Sequence, residues 1–186
     1  MNESTRSNSD YVFSWPTDVF EPVGIPQLLR VQNMGLDISK LFHRFIRFYK
    51  FVNRKECNFE CDSDNTEATV NRINGGDCGT AAIAVGTVLE KLGYEVTYWD
   101  NDAHGYIEVN GVFYDTMTPD GRVNHDEMFM AGDSPNPRVS GDKEWMKNQF
   151  HRADPLGLEW ADMFYKIVFQ ELRDDPLSYI VCSKEE

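Results

Sequence analysis

The strongest constraint on the fold is a run of small apolar residues near the middle of the chain, between Cys78 and Leu92. Alanine, valine and leucine recur there at helical spacing, and Gly93 follows as a helix stop. A helix that is apolar over most of its surface is stable only when other elements cover it. We therefore expect a helix at 78–92 that lies buried in the centre of a domain.

The segments that follow this helix have the pattern of an antiparallel meander. Residues 94–99 alternate between apolar and polar side chains, as half-buried strands do, and two further strands are predicted at 104–109 and 112–117. The dipeptide Asn110-Gly111 between the last two is a strong signal for a two-residue hairpin turn. A central helix packed on a small antiparallel sheet, with extra helices around it, belongs to the α+β class.

The rest of the chain is expected to surround this unit. Residues 1–10 are predicted to be a disordered tail, and residues 11–186 a single α+β domain. The polar residues 56–77 are predicted to form a long loop, and such loops are often functional. Further helices are predicted at 36–54, 124–130, 142–151 and 158–173, and a last strand at 178–182.

Basic side chains gather on one face of the predicted helix at 36–54 and just beyond it. This face is either a docking surface for an acidic partner or a solvated face, and we favour the solvated face because charged helix faces are usually solvated. The residues are Lys40, Arg44, Arg47, Lys50, Arg54 and Lys55.

The charge balance limits the partners of the protein. The chain has 186 residues, with 18 Lys and Arg against 31 Asp and Glu, and a formal net charge of −13. Phosphate contacts need basic side chains, so we expect no nucleic acid and no membrane partner. No stretch approaches the roughly 18 apolar residues of a spanning helix. Residues 1–10 lack a secretory signal core, which predicts a cytoplasmic protein with reduced cysteines.

The cysteines do not form a strong metal-binding pattern. Cys57 and Cys61, with Cys182 and His43, are candidates for zinc, but their spacing fits no strong zinc-finger pattern. We expect no metal and no other cofactor. A zinc-stabilised adaptor that uses Cys57 and Cys61 is a weaker alternative.

Cys78 differs from the other cysteines in its position. It follows Gly75 and Gly76 and falls in the first turn of the predicted central helix. The free N–H groups and partial positive charge of a helix N-terminus favour the thiolate, which is the nucleophilic form of cysteine. The glycines allow a substrate backbone to approach closely. Cys78 is therefore our candidate nucleophile.

A histidine and an aspartate fall on the neighbouring strands. The hairpin register that pairs Val109 with Val112 places Asp115 diagonally across from His104, on one face of the sheet. A carboxylate there could hold one ring nitrogen of the imidazole and leave the other for the thiol. Weaker alternatives for the base are His125, His151 and His43.

Three segments resemble known cysteine enzymes. Residues 76–82 read GDCGTAA, which resembles the nucleophile motif of papain-like cysteine peptidases and most closely the Asp-Cys-Gly start of bacteriocin-processing and related peptidases. Residues 104–109, HGYIEV, and 110–116, NGVFYDT, resemble the transglutaminase-like pattern, in which a His opens one strand and an aromatic-Asp-Thr closes the next. The resemblance covers about residues 74–121 and keeps the chain order Cys, His, Asp.

The resemblance implies a papain-like or transglutaminase-like core and acyl transfer through a thioester. Cys78 would be the nucleophile, His104 the general base and acid, and Asp115 the orienting carboxylate. The substrate would be a protein or peptide, attacked at a peptide, isopeptide or side-chain amide bond. The residues expected to contact it are Gly76, Gly79, Tyr106 and Trp145.

The chain also departs from these families. Papain-like enzymes carry a Gln shortly before the Cys as an oxyanion donor, whereas here Asn71 and Asn74 are the candidates, beside the backbone N–H of Cys78. Transglutaminases have Trp where this chain has Tyr106. A second hypothesis is therefore a non-catalytic interaction or inhibitor protein on a degenerate cysteine-hydrolase scaffold, docking a basic partner. The Gly- and Pro-rich segment 118–141 is either a lid or a plain surface loop.

Overall fold

A computed structural model describes residues 35–56, 66–129, 138–150 and 155–179. These residues form helices packed against a four-stranded antiparallel sheet, in agreement with the predicted α+β class. The helices are α1 (Ile38–Glu56), α2 (Thr66–Arg72), α3 (Cys78–Lys91), α4 (Lys143–Phe150) and α5 (Pro155–Asp174). The strands are β1 (Thr97–Asp100), β2 (Gly105–Val109), β3 (Val112–Tyr114) and β4 (Val139–Gly141). A π-helical turn (Ile73–Asp77) that is kinked and non-helical at Gly76 joins α2 to α3, and 3-10 turns occupy His125–Glu127 and Pro176–Tyr179.

The sheet has the strand order β3-β2-β1-β4, and each neighbouring pair is antiparallel. Val109 pairs with Val112, which confirms the predicted hairpin register. Asn110 and Gly111 both have positive φ angles, 53° and 77°, as the tight turn between β2 and β3 requires. This hairpin fixes which side chains of β2 and of the segment after β3 share a face.

The predicted central helix is α3, and most of it is buried. It packs against α1, α4, α5 and β2, so it is covered on several sides. Its small residues allow this close approach. A Cβ added at Gly86 would lie 2.4 Å from the hydroxyl of Tyr98 and 2.7 Å from its ring, so glycine makes room for this buried side chain of β1. The Tyr98 hydroxyl in turn donates to Glu90 on α3, at 3.1 Å.

Helix α1 is amphipathic, as predicted, and its apolar face packs on α5. Phe45 meets Phe164 edge to face at 5.2 Å between ring centroids, and Tyr49 meets Trp160 at 5.6 Å. Such aromatic pairs add to the free energy gained from burial. The buried apolar residues of α1 are Leu41, Phe42, Phe45, Ile46, Phe48, Tyr49 and Val52.

One member of the basic face of α1 is used within the fold. The Nε atom of Arg44 donates to both carboxylate oxygens of Glu171 on α5, at 3.0 Å each, and a second guanidinium nitrogen also binds this carboxylate. The Tyr179 hydroxyl donates to the same carboxylate. The interpretation of a wholly solvated basic face therefore does not hold for Arg44. The side chains of Arg54 and Lys55 lie outside the described residues.

The structure differs from the predicted loop at 56–77. Its second half forms α2 and the π-helical turn, whereas residues 57–65 lie outside the described part. Local periodicity is weak here because α2 is only seven residues long and, among its residues, only Thr69 is buried. Buried Ile73 and Asn74 anchor the π-helical turn, so tertiary contacts decide this segment.

The strand predicted at 178–182 is wrong for its first two residues, and residues 180–182 lie outside the described part. Ser178 and Tyr179 lie in a 3-10 turn, and the carbonyl of Tyr179 accepts one hydrogen bond from the N–H of Asp37 at 2.9 Å. Strand β4 was not predicted, because Val-Ser-Gly offers no alternating pattern. The predicted helix at 124–130 is reduced to the 3-10 turn at His125–Glu127.

The helices predicted at 142–151 and 158–173 are present as α4 and α5 with small shifts of their ends. Among the described helices, none is long and apolar enough to cross a membrane. The described residues also contain no group of three or more His, Cys, Asp and Glu side chains placed to hold a metal ion. Outside the described residues lie the predicted tail, the irregular segment before residue 35, Cys57, Cys61, Cys182 and His151.

Candidate active site

Cys78 is the first residue of α3 and lies at the junction between that helix and the sheet. Its side chain is buried, with 5% of its surface exposed. The sulfur accepts a hydrogen bond from the backbone N–H of Gly105 at 3.3 Å, so the first residue of β2 contacts the thiol directly. Gly75 and Gly76 are exposed, and a Cβ at either position would meet no atom within 4 Å. Open space therefore adjoins the turn that leads into Cys78.

His104 and Asp115 are in direct contact, as the predicted register implied. Nε2 of His104 lies 2.7 Å from Oδ2 of Asp115. Both side chains are almost fully buried, with 1% and 2% exposure of the residues. The other carboxylate oxygen, Oδ1, accepts from the backbone N–H of Thr118 at 2.5 Å and from its hydroxyl at 2.6 Å. Each carboxylate oxygen thus has a donor, and this satisfies a buried charge.

These contacts shift the protonation of both groups. Burial alone would lower the pKa of His104, but the hydrogen bond to Asp115, followed by the Cys78 thiol, raises that pKa to about 9. Burial would raise the pKa of Asp115, but the hydrogen bond to His104, assisted by Thr118, outweighs burial and lowers that pKa. At neutral pH the pair is therefore an imidazolium bound to a carboxylate.

The second ring nitrogen of His104, Nδ1, is the one that Asp115 does not bind. Nδ1 is buried and makes no hydrogen bond of normal geometry with the described residues. The Cys78 thiol nevertheless raises the pKa of His104 as a hydrogen-bonding and charged neighbour. These two findings agree if the sulfur is adjacent to the ring but not aligned with the N–H. Catalytic hydrogen bonds are often misaligned when no substrate is bound.

Asn101 fixes the start of the strand that carries the histidine. Its side chain is buried, and Oδ1 accepts from the backbone N–H of His104 at 2.7 Å and of Ala103 at 3.1 Å. This Asx-type turn sets the direction in which the chain enters β2. The position of Asn101 three residues before the histidine is the sequence signal for this role.

Asp77, the residue before Cys78, is held from α1. The Tyr49 hydroxyl donates to Oδ2 of Asp77, and burial followed by this carboxylate raises the pKa of Tyr49. Asp77 stands at the N-cap position of α3 but makes no side-chain capping hydrogen bond. The tyrosine therefore ties the chain immediately before the sulfur to the aromatic core, and no local sequence pattern indicates this contact.

The two candidate oxyanion donors differ in their surroundings. Asn71 is exposed on α2. Asn74 is buried, and its Nδ2 donates to the carbonyl of Val70 at 2.8 Å and to Oγ1 of Thr116 at 3.1 Å. Both N–H groups of the Asn74 amide are thus engaged within the protein, joining the π-helical turn to the segment that carries Asp115.

The candidate substrate contacts are also separated. Gly76 is exposed beside Cys78, whereas Gly79 is buried in α3. Tyr106 is fully buried, and its ring stacks on that of His104 at 5.8 Å between centroids. Trp145 packs against Gly141 on β4 at the opposite edge of the sheet from β3, away from the triad.

The space beside the thiol is small. A crevice too narrow to hold a water molecule adjoins Cys78 and Asp115, and its other walls come from Phe42, Ala81, Ala82, Gly105, Tyr106 and Thr116. A larger cleft, about 530 Å³, lies between α1 and the end of α5. It includes His43, another candidate base, but its walls hold no cysteine. Because the small crevice adjoins Cys78 and Asp115, it is the candidate active site rather than the larger cleft.

The comparisons with known proteins give no further guide. The chain matches no protein-family model, no curated protein and no solved structure. The geometry of the site is therefore the basis for a proposed function.

Proposed function

We propose that the protein is a cysteine-dependent hydrolase or acyltransferase that acts on an amide bond of a protein or peptide through a thioester. The observation that carries this proposal is the buried pair of His104 and Asp115, with Nε2 bound to the carboxylate and Nδ1 without a partner, next to Cys78. Buried imidazole nitrogens are normally hydrogen-bonded, so an unsatisfied one beside a thiol suggests a functional role.

The proposed reaction has two halves, formation of a thioester and its breakdown, and each member of the triad has a role in both. The thiolate of Cys78 attacks the carbonyl carbon of the amide, a C–S bond forms, and the carbonyl electrons move to oxygen. The imidazolium of His104 gives its Nδ1 proton to the departing nitrogen as the C–N bond breaks, leaving a thioester and a free amine. Asp115 keeps the ring oriented and stabilises its positive charge.

The second half regenerates the thiol. Water or a second amine attacks the thioester while neutral His104 accepts its proton, and the C–S bond breaks to give an acid or a new amide. The thiolate and the imidazolium are then restored together. The open space at Gly75 and Gly76 supports the approach of a substrate backbone from the side of the π-helical turn.

The fold is also compatible with the papain-like or transglutaminase-like core implied by the sequence. In both, a cysteine at a helix N-terminus meets a histidine and an aspartate from an adjoining antiparallel sheet. The position of Cys78 at the start of α3 and the contact between His104 and Asp115 support this part of the proposal. Membership of that superfamily remains part of the proposal.

An activated ester tests the proposal without knowledge of the natural substrate. With p-nitrophenyl acetate, we expect a burst of p-nitrophenolate and an acetyl group on the Cys78 peptide in mass spectra. Cys78→Ala should abolish both, and His104→Ala should slow them by about 10²-fold or more. The peptides of Cys57, Cys61 and Cys182 are internal controls. Equal acetylation of all four cysteines, or an unchanged rate in His104→Ala, would contradict the proposal.

The burial of the site favours a second candidate function. Cys78 is 5% exposed and His104 1%, so a non-catalytic interaction protein on the same scaffold is consistent with the closed crevice. The protein, which has a net charge of −13, would then bind a basic partner protein by electrostatic attraction. That function predicts binding that weakens with salt and is insensitive to Cys78→Ala, together with no acetylation of Cys78.

A further inference from the structure

We infer that His125 is a positioning residue for the proposed triad, acting on His104 through Tyr106. The inference rests on the proposed function, because it concerns how the imidazole of that site is held. His125 lies in the 3-10 turn after β3 and does not touch Cys78 in any described contact. Its connection to the site runs through one buried tyrosine.

Tyr106 connects the two histidines. Its ring lies nearly parallel to that of His104, with 19° between the planes, and its hydroxyl lies 2.5 Å from Nε2 of His125. Burial raises the pKa of Tyr106 to about 12, so the hydroxyl keeps its proton at neutral pH and can donate. A rotation of the tyrosine ring away from His104 would break the bond to His125.

His125 is itself fixed by aromatic rings. It stacks on Phe113 at 4.1 Å with 9° between the planes, and meets the edge of Trp99 at 4.7 Å. Burial and then the charge of Arg138 lower the pKa of His125, whereas Glu108 and Asp126 oppose this shift. Neutral imidazole at physiological pH can accept the hydrogen bond from the Tyr106 hydroxyl.

The same turn also reaches the triad by a second route. The ring of Phe129 meets that of His104 edge to face at 5.2 Å. Sδ of Met128 lies 3.5 Å from the hydroxyl of Thr118, the residue that donates to Asp115. Residues 125–129 therefore contact the supports of both His104 and Asp115.

These contacts leave the imidazole little freedom to rotate. Tyr106 stacks on its face, the ring of Phe129 stands perpendicular to it, and Asp115 binds Nε2. Nδ1 is then directed to the one place where a proton is needed in the proposed reaction. Placement of a catalytic group within a fraction of an ångström has large effects on rate, and this is the contribution we assign to His125.

The charge of the imidazolium next to the thiol gives a readout that does not need the natural substrate. A neighbouring positive charge accelerates alkylation of Cys78 by anionic iodoacetate relative to neutral iodoacetamide. The ratio of the two rates, measured on the Cys78 peptide by mass spectrometry across pH 6–10, reports how near and how protonated His104 is. His104→Ala gives the baseline ratio.

We expect His125→Ala to lower the ratio at pH 7 toward the His104→Ala baseline, because an imidazolium held less closely beside the thiol attracts anionic iodoacetate less. His125→Gln can still bond to the Tyr106 hydroxyl and should recover most of the ratio. Tyr106→Phe keeps the ring and removes only the bond, so Tyr106→Phe combined with His125→Ala should be no worse than either alone. The control is Gln170→Ala on the exposed surface of α5, which should leave the ratio at its wild-type value.

Two outcomes would overturn the inference, and they are distinct. If His125→Ala and Tyr106→Phe keep the wild-type ratio and pH midpoint while His104→Ala abolishes the ratio, the triad stands and His125 does not position it. If the wild-type ratio is already that of His104→Ala, the proposed function fails and the inference fails with it. Tyr106→Phe, which keeps the ring and removes only the hydroxyl that binds His125, provides the test if His125→Ala does not fold.

Discussion

Nε2 of His104 and Oδ2 of Asp115 lie 2.7 Å apart at the centre of the site, although they belong to different sides of the β2-β3 hairpin. Both groups are buried, and each shifts the pKa of the other toward the charged form. The contact therefore couples the stability of the fold to the protonation of the proposed catalytic base.

Asp115→Asn should change how stability depends on pH. The pKa of His104 is raised from 6.5 to about 9, so its contribution is complete below pH 6.5 and is lost as pH rises through 9. The pKa of Asp115 is lowered from 3.8, so its contribution is present above pH 3.8 and is lost as pH falls further. The pair should stabilise most between about pH 4 and 6.5.

Urea unfolding of the wild type and Asp115→Asn at a series of pH values checks this expectation. The wild type should lose about 1–3 kcal/mol between pH 6.5 and 9 through this pair, and the variant should not. Asp162→Asn, which removes an exposed carboxylate paired with Lys166, is the control and should leave the pH dependence as it is. Parallel curves for the wild type and Asp115→Asn would contradict the coupling.

The same substitution should shift the reactivity of Cys78. Without the carboxylate, burial lowers the pKa of His104, so the imidazole becomes neutral at a lower pH. The iodoacetate-to-iodoacetamide rate ratio should fall with a midpoint near pH 9 in the wild type and at a lower pH in Asp115→Asn. A midpoint that does not move would show that Asp115 does not set the charge of His104.

The sequence predicts the placement of Cys78, His104 and Asp115 better than it predicts the residues that hold them in place. The Asn110-Gly111 turn fixes the register of β2 and β3, and from that register follows the approach of Asp115 to His104. The helix that begins at Cys78 is likewise predicted from its apolar periodicity.

The residues that hold the site in place do so through contacts between segments far apart in the sequence, which no local sequence pattern predicts. Tyr49 on α1 binds Asp77, and His125 in a short turn binds Tyr106 on β2. Each pair depends on how separate elements pack, and neither periodicity nor turn chemistry records such packing. Strand β4 was missed for a similar reason, since its pairing with β1 rather than its own composition makes it a strand.

Gly86→Ala should destabilise the fold by about 1–3 kcal/mol, because the added methyl group overlaps Tyr98 and the core must shift. Tyr98→Phe removes the hydroxyl that lies nearest and should recover part of this loss in the double variant. Gly75→Ala is the control, since a Cβ there meets nothing within 4 Å. Thermal or urea unfolding measures all of these, and equal stabilities of Gly86→Ala and Gly75→Ala would refute the packing argument.

Asn74→Ala should reduce both stability and Cys78 reactivity. The substitution leaves the carbonyl of Val70 and the hydroxyl of Thr116 without their amide partner, at a cost of about 1–3 kcal/mol for buried groups. Because Thr116 adjoins Asp115 and the π-helical turn adjoins Cys78, the same change loosens both sides of the crevice.

Asn71→Ala separates this role from that of an oxyanion donor. Asn71 is exposed, so its substitution should change the free energy of unfolding by less than about 0.5 kcal/mol. If Asn71 were the oxyanion donor, Asn71→Ala would slow acetylation of Cys78 by p-nitrophenyl acetate at unchanged stability, by about 10²-fold or more. We expect no such loss for Asn71→Ala, and for Asn74→Ala a loss of acetylation that accompanies the loss of stability. Full acetylation rates in a destabilised Asn74→Ala would instead show that the bridge to Thr116 is irrelevant to the site.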